Sequence, residues 1–401
     1  MVCQLSVRGG LCARGRSMGE ERDVLRVRIR AVGDNLIHKE LYRAAALPEG
    51  GYCFDQLFDG VRDLLREADV AALNQETIFV RDTAQVSAFP AFGSPVQVGE
   101  AAVKAGFNVV THASNHALDK GLPGVQATLA FWRKQAPAVR MLGLHGSAEE
   151  QAEVPVVTVK GIRIAMLNYT ESLNYHPLPP GAAYCVDVMK PHHKKAIREQ
   201  LQRARQLADF VIVFPHWGCE YLYEPVASER AWAAFFAEAG ADLIVGTHPH
   251  VVQPKEWLET ADGRRTLCLY SLGNFISCQV KAGTMLGAMA DIVIEKAPGG
   301  RAQIVSEALL PLVTHTDAAY SVFTTYPLDI YTDEQCRENR IFQVVQRNYG
   351  FAVDCAYLRG LFDDILAGRA QARNEFQTPW DVRRSNIRAV CRTLLGKNAK
   401  R

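Results

Sequence analysis

An α/β fold with an α+β component is what this sequence predicts, and three patterns predict it. Apolar runs of strand length alternate with segments at helical spacing through the first half of the chain, as in layered sheets covered by helices. Turn signals at Lys160-Gly161, Ala261-Asp262-Gly263-Arg264 and Pro298-Gly299-Gly300 then mark antiparallel hairpins, so the sheets are mixed. Several predicted strands also stop at residues able to hold a metal. The length of 401 residues accommodates one large domain with an appendage.

In order, residues 25–32 alternate apolar and basic side chains, turn apolar, and end at Gly33-Asp34: a strand delivering a carboxylate. Residues 54–67 carry Leu57, Phe58, Val61, Leu64 and Leu65 at helical spacing. A second strand over 68–73 stops at Asn74-Gln75-Glu76. A helix over 98–106 closes on Gly106, and the strand 108–111 runs into His112 and Asn115-His116. A helix over 122–134 precedes a short strand near 139–144, then a hairpin of 154–159 and 162–168. The charged helix 191–208 leads to an apolar strand, 210–214, that ends at Pro215-His216. A helix over 227–239 precedes the strand 241–245 and Gly246-Thr247-His248-Pro249-His250. The return strand 266–271 of the second hairpin runs to Gly273-Asn274-Phe275.

Beyond about Tyr320, residues 332–349, 353–367 and 382–395 read as helices with apolar faces and outward Arg and Lys. The expected division is a disordered tail over 1–24, a main domain over 25–319 and a mostly helical extension over 320–401 packed on it. Met18 is an alternative start to Met1.

The formal net charge of +2, with no dense Lys/Arg block, gives no electrostatic case for a nucleic-acid partner. No window approaches the roughly 18 apolar residues of a membrane span, and residues 1–24 lack the apolar core of a signal peptide. Ten dispersed cysteines without a C-x-x-C pair read as reduced thiols, which places the protein in the cytoplasm.

Five sites fall just past predicted strand ends: Asp34, Glu76, Asn115 with His116, His216, and His248 with His250. In layered α/β proteins that edge collects ligands. In an extended chain, side chains two residues apart share a side, so His248 and His250 are expected to face one site. A carboxylate able to bridge, several imidazoles, a carboxamide and a terminal Asp are hard or borderline donors with no thiolate among them. They point to Mn²⁺, Fe or Zn²⁺, one or two ions per chain, in a hydrolytic centre.

The same residues sit in six ordered motifs across roughly residues 25–300. These are Gly33-Asp34, Asn74-x-Glu76-Thr77, Asn115-His116-Ala117-Leu118-Asp119-x-Gly121, His216-Trp217-Gly218-x-Glu220-Tyr221, Gly246-Thr247-His248-Pro249-His250 and Ser271-Leu272-Gly273-Asn274-Phe275. They resemble the CapA (PgsA) family of capsule or poly-γ-glutamate synthesis proteins, within the calcineurin-like metallophosphoesterase superfamily. The resemblance implies a four-layer β-sandwich flanked by helices. It implies that Asp34 and His250 hold one metal, that Asn115, His216 and His248 hold another, and that Glu76 bridges them. His116 would be the general acid, since imidazoles titrate near neutral pH, with Asp119 orienting it.

One position departs from the superfamily: the His expected two residues after the first Asp is Leu36 here, and His38 would need a turn to reach back. The first metal site is therefore expected to be short of a ligand. Two functions follow. One is a metal-dependent hydrolase in which metal-bound hydroxide attacks a small phosphate ester, an amide, or a poly-γ-glutamate or peptide-like polymer, with metal-assisted epimerisation as a variant. The other is a non-catalytic accessory partner of a polymer synthase. His112 reads as a core or supporting histidine, and Trp217 and Tyr221 as pocket walls or core. Asn74 is explicable as a turn cap, and His192-His193 as a solvated face. His145, His176 and His315 have no supporting context.

Overall fold

The computed structural model describes residues 24–135 and 138–370. In the strand Leu25–Asn35, Val27, Ile29 and Ala31 enter one buried cluster and Val32 another, so both faces of its sheet are covered. On one side this strand pairs in parallel with Val70–Gln75, and Val109–Thr111 and Arg140–Leu142 continue the parallel order. On the other side it pairs antiparallel with Leu286–Lys296, followed by Ala302–Thr316 and Phe323–Pro327. The short strand Asn274–Ile276 joins in parallel at its carboxyl end, completing eight strands.

A second sheet of six strands runs in the order Lys255–Glu259, Arg265–Leu269, Leu243–Val245, Phe210–His216, Ile162–Thr170 and Val156–Val159. It is parallel in the middle and antiparallel at its two hairpin edges. Val27, Ile29, Val70 and Val109 of the first sheet meet Ile164, Phe210, Ile212 and Leu243 of the second in the central core. Each such fully buried side chain contributes roughly 1.5–3 kcal/mol.

Helices close the outer faces because their apolar stripes match the sheets. Val98, Ala101 and Ala102 of Gln97–Ala105 cover the first sheet. Ile197 and Leu201 of Lys194–Leu207, with Trp232 and Phe236 of Ala227–Ala239, cover the second. The layers are helix, sheet, sheet, helix: the expected α/β sandwich.

Three segments differ from the sequence reading. Residues 54–67 form a 3-10 turn, Asp55–Val61, followed by a short α-helix, Arg62–Arg66. Gly60 sits inside that stretch with its backbone against the Thr325 carbonyl, which no side chain would allow. The span beyond Tyr320, read as mostly helical with its first helix at 332, opens with the strand Phe323–Pro327 on the edge of the first sheet. Residues 332–349 break into Asp333–Glu338 and Arg340–Tyr349 at Asn339. There the Asn339 carboxamide accepts Ile341 N–H at 3.1 Å and donates to Thr314 O at 2.9 Å, capping a new helix instead of continuing the old one.

Ile341, Phe342 and Val345, with Leu358, Phe362 and Ile365 of Cys355–Leu366, join the same cluster as the inter-sheet core. No helix among the described residues is long and apolar enough to cross a membrane. The helix expected over 382–395 and residues 1–23 of the expected tail lie outside the described residues.

Candidate metal centre

Two close backbone approaches bring the strand ends together. A Cβ on Gly33 would run into the Gly273 carbonyl, and one on Gly246 into the Tyr270 carbonyl and the Trp217 indole nitrogen. Glycine at both positions lets neighbouring strand ends close on one another at the edge where the parallel strands finish. Asn168 fastens the same edge from within. Its side-chain oxygen accepts the N–H groups of His112 and Ala113 from the first sheet's side, and its amide donates to Phe214 O in the second.

All eight residues singled out from the sequence sit at this edge, and each has a buried side chain. Asp34 Oδ2 lies 3.1 Å from His250 Nδ1 and accepts His248 N–H at 3.2 Å. Glu76 Oε1 is 3.6 Å from His216 Nε2, 3.9 Å from His250 Nε2 and 3.9 Å from His116 Nε2. His216 Nε2 lies 3.0 Å from Asn115 Oδ1, and the His216 and His248 rings are 4.7 Å apart. Two overlapping donor triads result, Asp34–Glu76–His250 and Glu76–His216–His248, each with its ligand atoms within 4.8 Å of one another. Beside them His116 Nδ1 sits 2.7 Å from Asp119 Oδ2, which also accepts Phe92 N–H at 2.7 Å.

The two histidines converge by a different route from the expected one. His248 has φ 100° and His250 φ 60°, so the segment is not extended and strand alternation does not aim them. Positive φ at a residue other than glycine costs on the order of 1–3 kcal/mol and persists only where surrounding contacts impose it. Here the Asp34 carboxylate accepts His248 N–H, and Tyr221 N–H, itself on a residue with φ 67°, donates to Pro249 O at 2.7 Å.

Electrostatics single out Glu76. Both its carboxylate oxygens are buried without a hydrogen-bond partner, and so is His248 Nδ1. Burial pushes the Glu76 carboxyl well above its usual range, with Asp34 and Glu220 adding to the push and His250 opposing it. Burial lowers His248 to about 4. Burial, then the charges of His248 and His250, hold His216 well below an ordinary imidazole. Burial also acts against charge on His250, but Glu76 and Asp34 outweigh it and lift the group to about 10. His250 Nδ1 has two oxygen neighbours, Asp34 Oδ2 and Asn274 Oδ1 at 3.1 Å, so its proton is held there and Nε2 faces Glu76. A buried carboxylate that accepts no hydrogen bond, beside two imidazoles held neutral by burial, is costly unless a cation completes it. The donor set therefore suits a divalent cation.

Other residues sort clearly. Leu36 is buried and apolar, offering no donor beside Asp34. His38 Nδ1 lies 3.2 Å from Leu36 O and accepts Cys278 N–H at 3.2 Å. Burial and then the nearby His250 lower His38 to about 4, so it borders the centre with one nitrogen already engaged. His112 Nε2 accepts the Trp132 indole N–H at 2.7 Å, a core role. Trp217 is fully buried and donates to Tyr270 O at 2.9 Å. The Tyr221 ring lies 6.0 Å from His250. Asn74, explicable as a cap, instead donates to Asp34 Oδ1 at 2.7 Å and accepts from Thr111 Oγ1 at 2.8 Å. His192 and His193 open the helix Lys194–Leu207 in a 3-10 turn, while His145 pairs with Asp187 and His315 with the Tyr331 hydroxyl.

Sequence reasoning missed Asn174, Phe92 and His176. Asn174 Nδ2 is 3.4 Å from His116 Nδ1, the Phe92 ring centroid is 4.7 Å from that of His116, and His176 Nε2 is 3.8 Å from Asp119 Oδ1. The end of the strand Ile162–Thr170 was the available signal for Asn174 and His176, since the loop they occupy leaves the same edge. For Phe92 nothing in the sequence spoke.

This is a helix-flanked double sheet with buried carboxylate and imidazole donors collected where its parallel strands end. More specifically, the chain belongs to the family described as bacterial capsule synthesis protein PGA_cap, which matches residues 28–279. It is similar to the PGA biosynthesis protein CapA of Bacillus subtilis (strain 168), 32% identical over 202 residues covering 49% of this chain and 50% of that protein. The capsule biosynthesis protein CapA of Bacillus anthracis is 30% identical over 182 residues, covering 44% of this chain and 42% of that one. The matches thus span about half the length of these relatives, or less. Among solved structures, a hypothetical protein from Thermus thermophilus gives a TM-score of 0.42 at 16% identity, covering 71% of this chain and 98% of that one. Haemophilus influenzae NAD nucleotidase gives 0.45 at 12%, covering 87% and 61%.

Proposed function

We propose that the protein is a metal-dependent hydrolase acting on a phosphate ester, or on an amide bond in a poly-γ-glutamate or peptide-like substrate. The observation that carries this is Glu76, whose two carboxylate oxygens are buried without a partner and whose Oε1 faces His116, His216 and His250. Asp34, Glu76 and His250 would hold one ion, and Glu76, Asn115, His216 and His248 another, with Mn²⁺, Fe or Zn²⁺ fitting these donors. A bound divalent ion supplies Lewis-acid polarisation and can lower the pKa of water from 15.7 to about 7.

The chain's own residues do the rest. Asp119 accepts the Nδ1 proton of His116 and leaves Nε2 to face the centre, where it can protonate a departing oxygen or nitrogen. Phe92 places its ring against the imidazole and its N–H on Asp119, fixing both. Asn174 lies 3.4 Å from His116 Nδ1, and its side-chain oxygen accepts from the Asn115 amide at 3.4 Å.

Leu36 favours a second reading, a non-catalytic accessory protein of capsule or polymer synthesis. It leaves the Asp34 triad without the additional imidazole that most phosphoesterases of this superfamily would place there.

Metal content of the purified full chain, with hydrolysis of an aryl phosphate, poly-γ-glutamate and short peptides in Mn²⁺, separates the two. The hydrolase reading expects bound metal and turnover that His216→Ala abolishes. Absence of metal, or activity indifferent to His216→Ala, would overturn it.

A further inference from the structure

A second set of metal-competent side chains lies in the C-terminal helices. Asp333 opens the helix Asp333–Glu338 and Cys336 follows one turn later on the same face. Cys355 opens the helix Cys355–Leu366, where the helix dipole favours negative charge. We propose that Asp333, Cys336 and Cys355 bind a thiolate-preferring divalent cation of the zinc class, with solvent completing its coordination.

Geometry carries the proposal. One ligand atom from each residue lies within 4.8 Å of the others. The two sulfurs are 3.7 Å apart. Two bonds of about 2.3 Å from a tetrahedral zinc put their sulfurs roughly 3.8 Å apart, whereas a disulfide requires about 2.05 Å. Asp333 Oδ1 accepts Cys355 N–H at 2.9 Å, which holds the carboxylate beside the thiols. Both thiols are buried while Asp333 is exposed, so the cluster has a solvent-facing side through which an ion can enter.

As neutral groups these thiols have an ordinary role: Cys355 Sγ–H donates to Tyr331 O at 3.2 Å. The Asp333 carboxylate accepts Cys355 N–H, and that same contact sets a charged oxygen beside both sulfurs. Burial raises both thiols above their usual range, which makes them poor nucleophiles and poor redox partners. Cation binding would form two sulfur–metal bonds and release two protons to solvent. The bound ion would clasp the two helices through residues adjoining Tyr331, whose hydroxyl also meets His315 and Asn339.

The strand-edge centre offers no thiol ligand, so sulfur-specific spectroscopy isolates this site. The full chain, reduced and then freed of reductant, is titrated with Co²⁺ and followed by its thiolate-to-cobalt charge-transfer band. The expected result is a band that saturates with one sulfur-bound cobalt per chain and that Zn²⁺ or Cd²⁺ displaces. Cys336→Ser and Cys355→Ser should each lose or greatly weaken it, and Cys53→Ser should leave it unchanged. Asp333→Asn should keep a band but weaken cobalt affinity about tenfold or more. Displacement by Cd²⁺ in the unaltered chain reads the site even where a cysteine variant folds poorly. No band in the unaltered chain, a band that survives Cys336→Ser intact, or a Cys336–Cys355 disulfide in peptide maps of protein purified without reductant would overturn the assignment.

Discussion

His116 is the residue at which chemistry and support can be separated. Its Nδ1 is engaged by Asp119, and its Nε2 points to Glu76 without belonging to either donor triad. On the proposed function, His116→Gln should lower kcat by about 10²–10⁴-fold while leaving metal content unchanged. Loss of metal from that variant would make His116 a ligand and refute the role. Asp119→Asn should cost less, because the imidazole stays in the centre and loses only the carboxylate that orients its Nδ1.

His112 offers a stability test away from the centre. Burial lowers it to about 3, against about 6.5 in the unfolded chain. Between those values the folded state binds fewer protons than the unfolded one, so stability rises with pH. The contribution is complete above pH 6.5 and is lost as pH falls toward 3. Gln at this position can still accept from Trp132 but does not titrate. The melting-temperature deficit of His112→Gln should therefore shrink between pH 7 and pH 5, and a constant deficit would contradict the assignment.

At the scale of elements, joints between segments carry more than the segments themselves. Asn339 ends one helix, caps the next and ties both to the strand Ala302–Thr316 of the first sheet through Thr314. Asn339→Ala should cost about 2–4 kcal/mol in urea unfolding, from a lost cap and stranded buried partners. Gly33→Ala should cost about 1–3 kcal/mol from overpacking against Gly273 and should weaken metal binding as well.

These joints also mark where the sequence became hard to read. Apolar runs ending in Asp34, Glu76 and His216 announced both strand and site, because a buried strand has little reason to stop at an ionisable group. The break at Asn339 was invisible, since helical spacing continues through it and only the Thr314 carbonyl makes a cap preferable. The strand Phe323–Pro327 has no alternation against solvent because its first three residues are all buried. The positive φ of His248 and His250 is imposed by Asp34 and Tyr221, contacts distant in sequence, and no local pattern encodes them.

For the whole molecule, the donors come from both sheets: Asp34 and Glu76 from the first, His216 and His248 from the second. Stripping the full chain of metal with a chelator should lower its melting temperature, and readdition of Mn²⁺ at about a hundred times its dissociation constant should restore about 2.7 kcal/mol. Equal stability with and without metal, in a chain shown to load it, would mean that the unfolded chain binds the ion as well as the folded one.

Donors divided between facing sheets turn an ion into a rivet. A slip of one residue along either ladder reverses every side chain's face and would carry its ligands out of reach. A loaded centre should then slow amide exchange in the strands Leu25–Asn35 and Phe210–His216 together, although the two share no ladder. Protection confined to one of them would show that the ion grips a single layer, leaving the other free to shift beneath it.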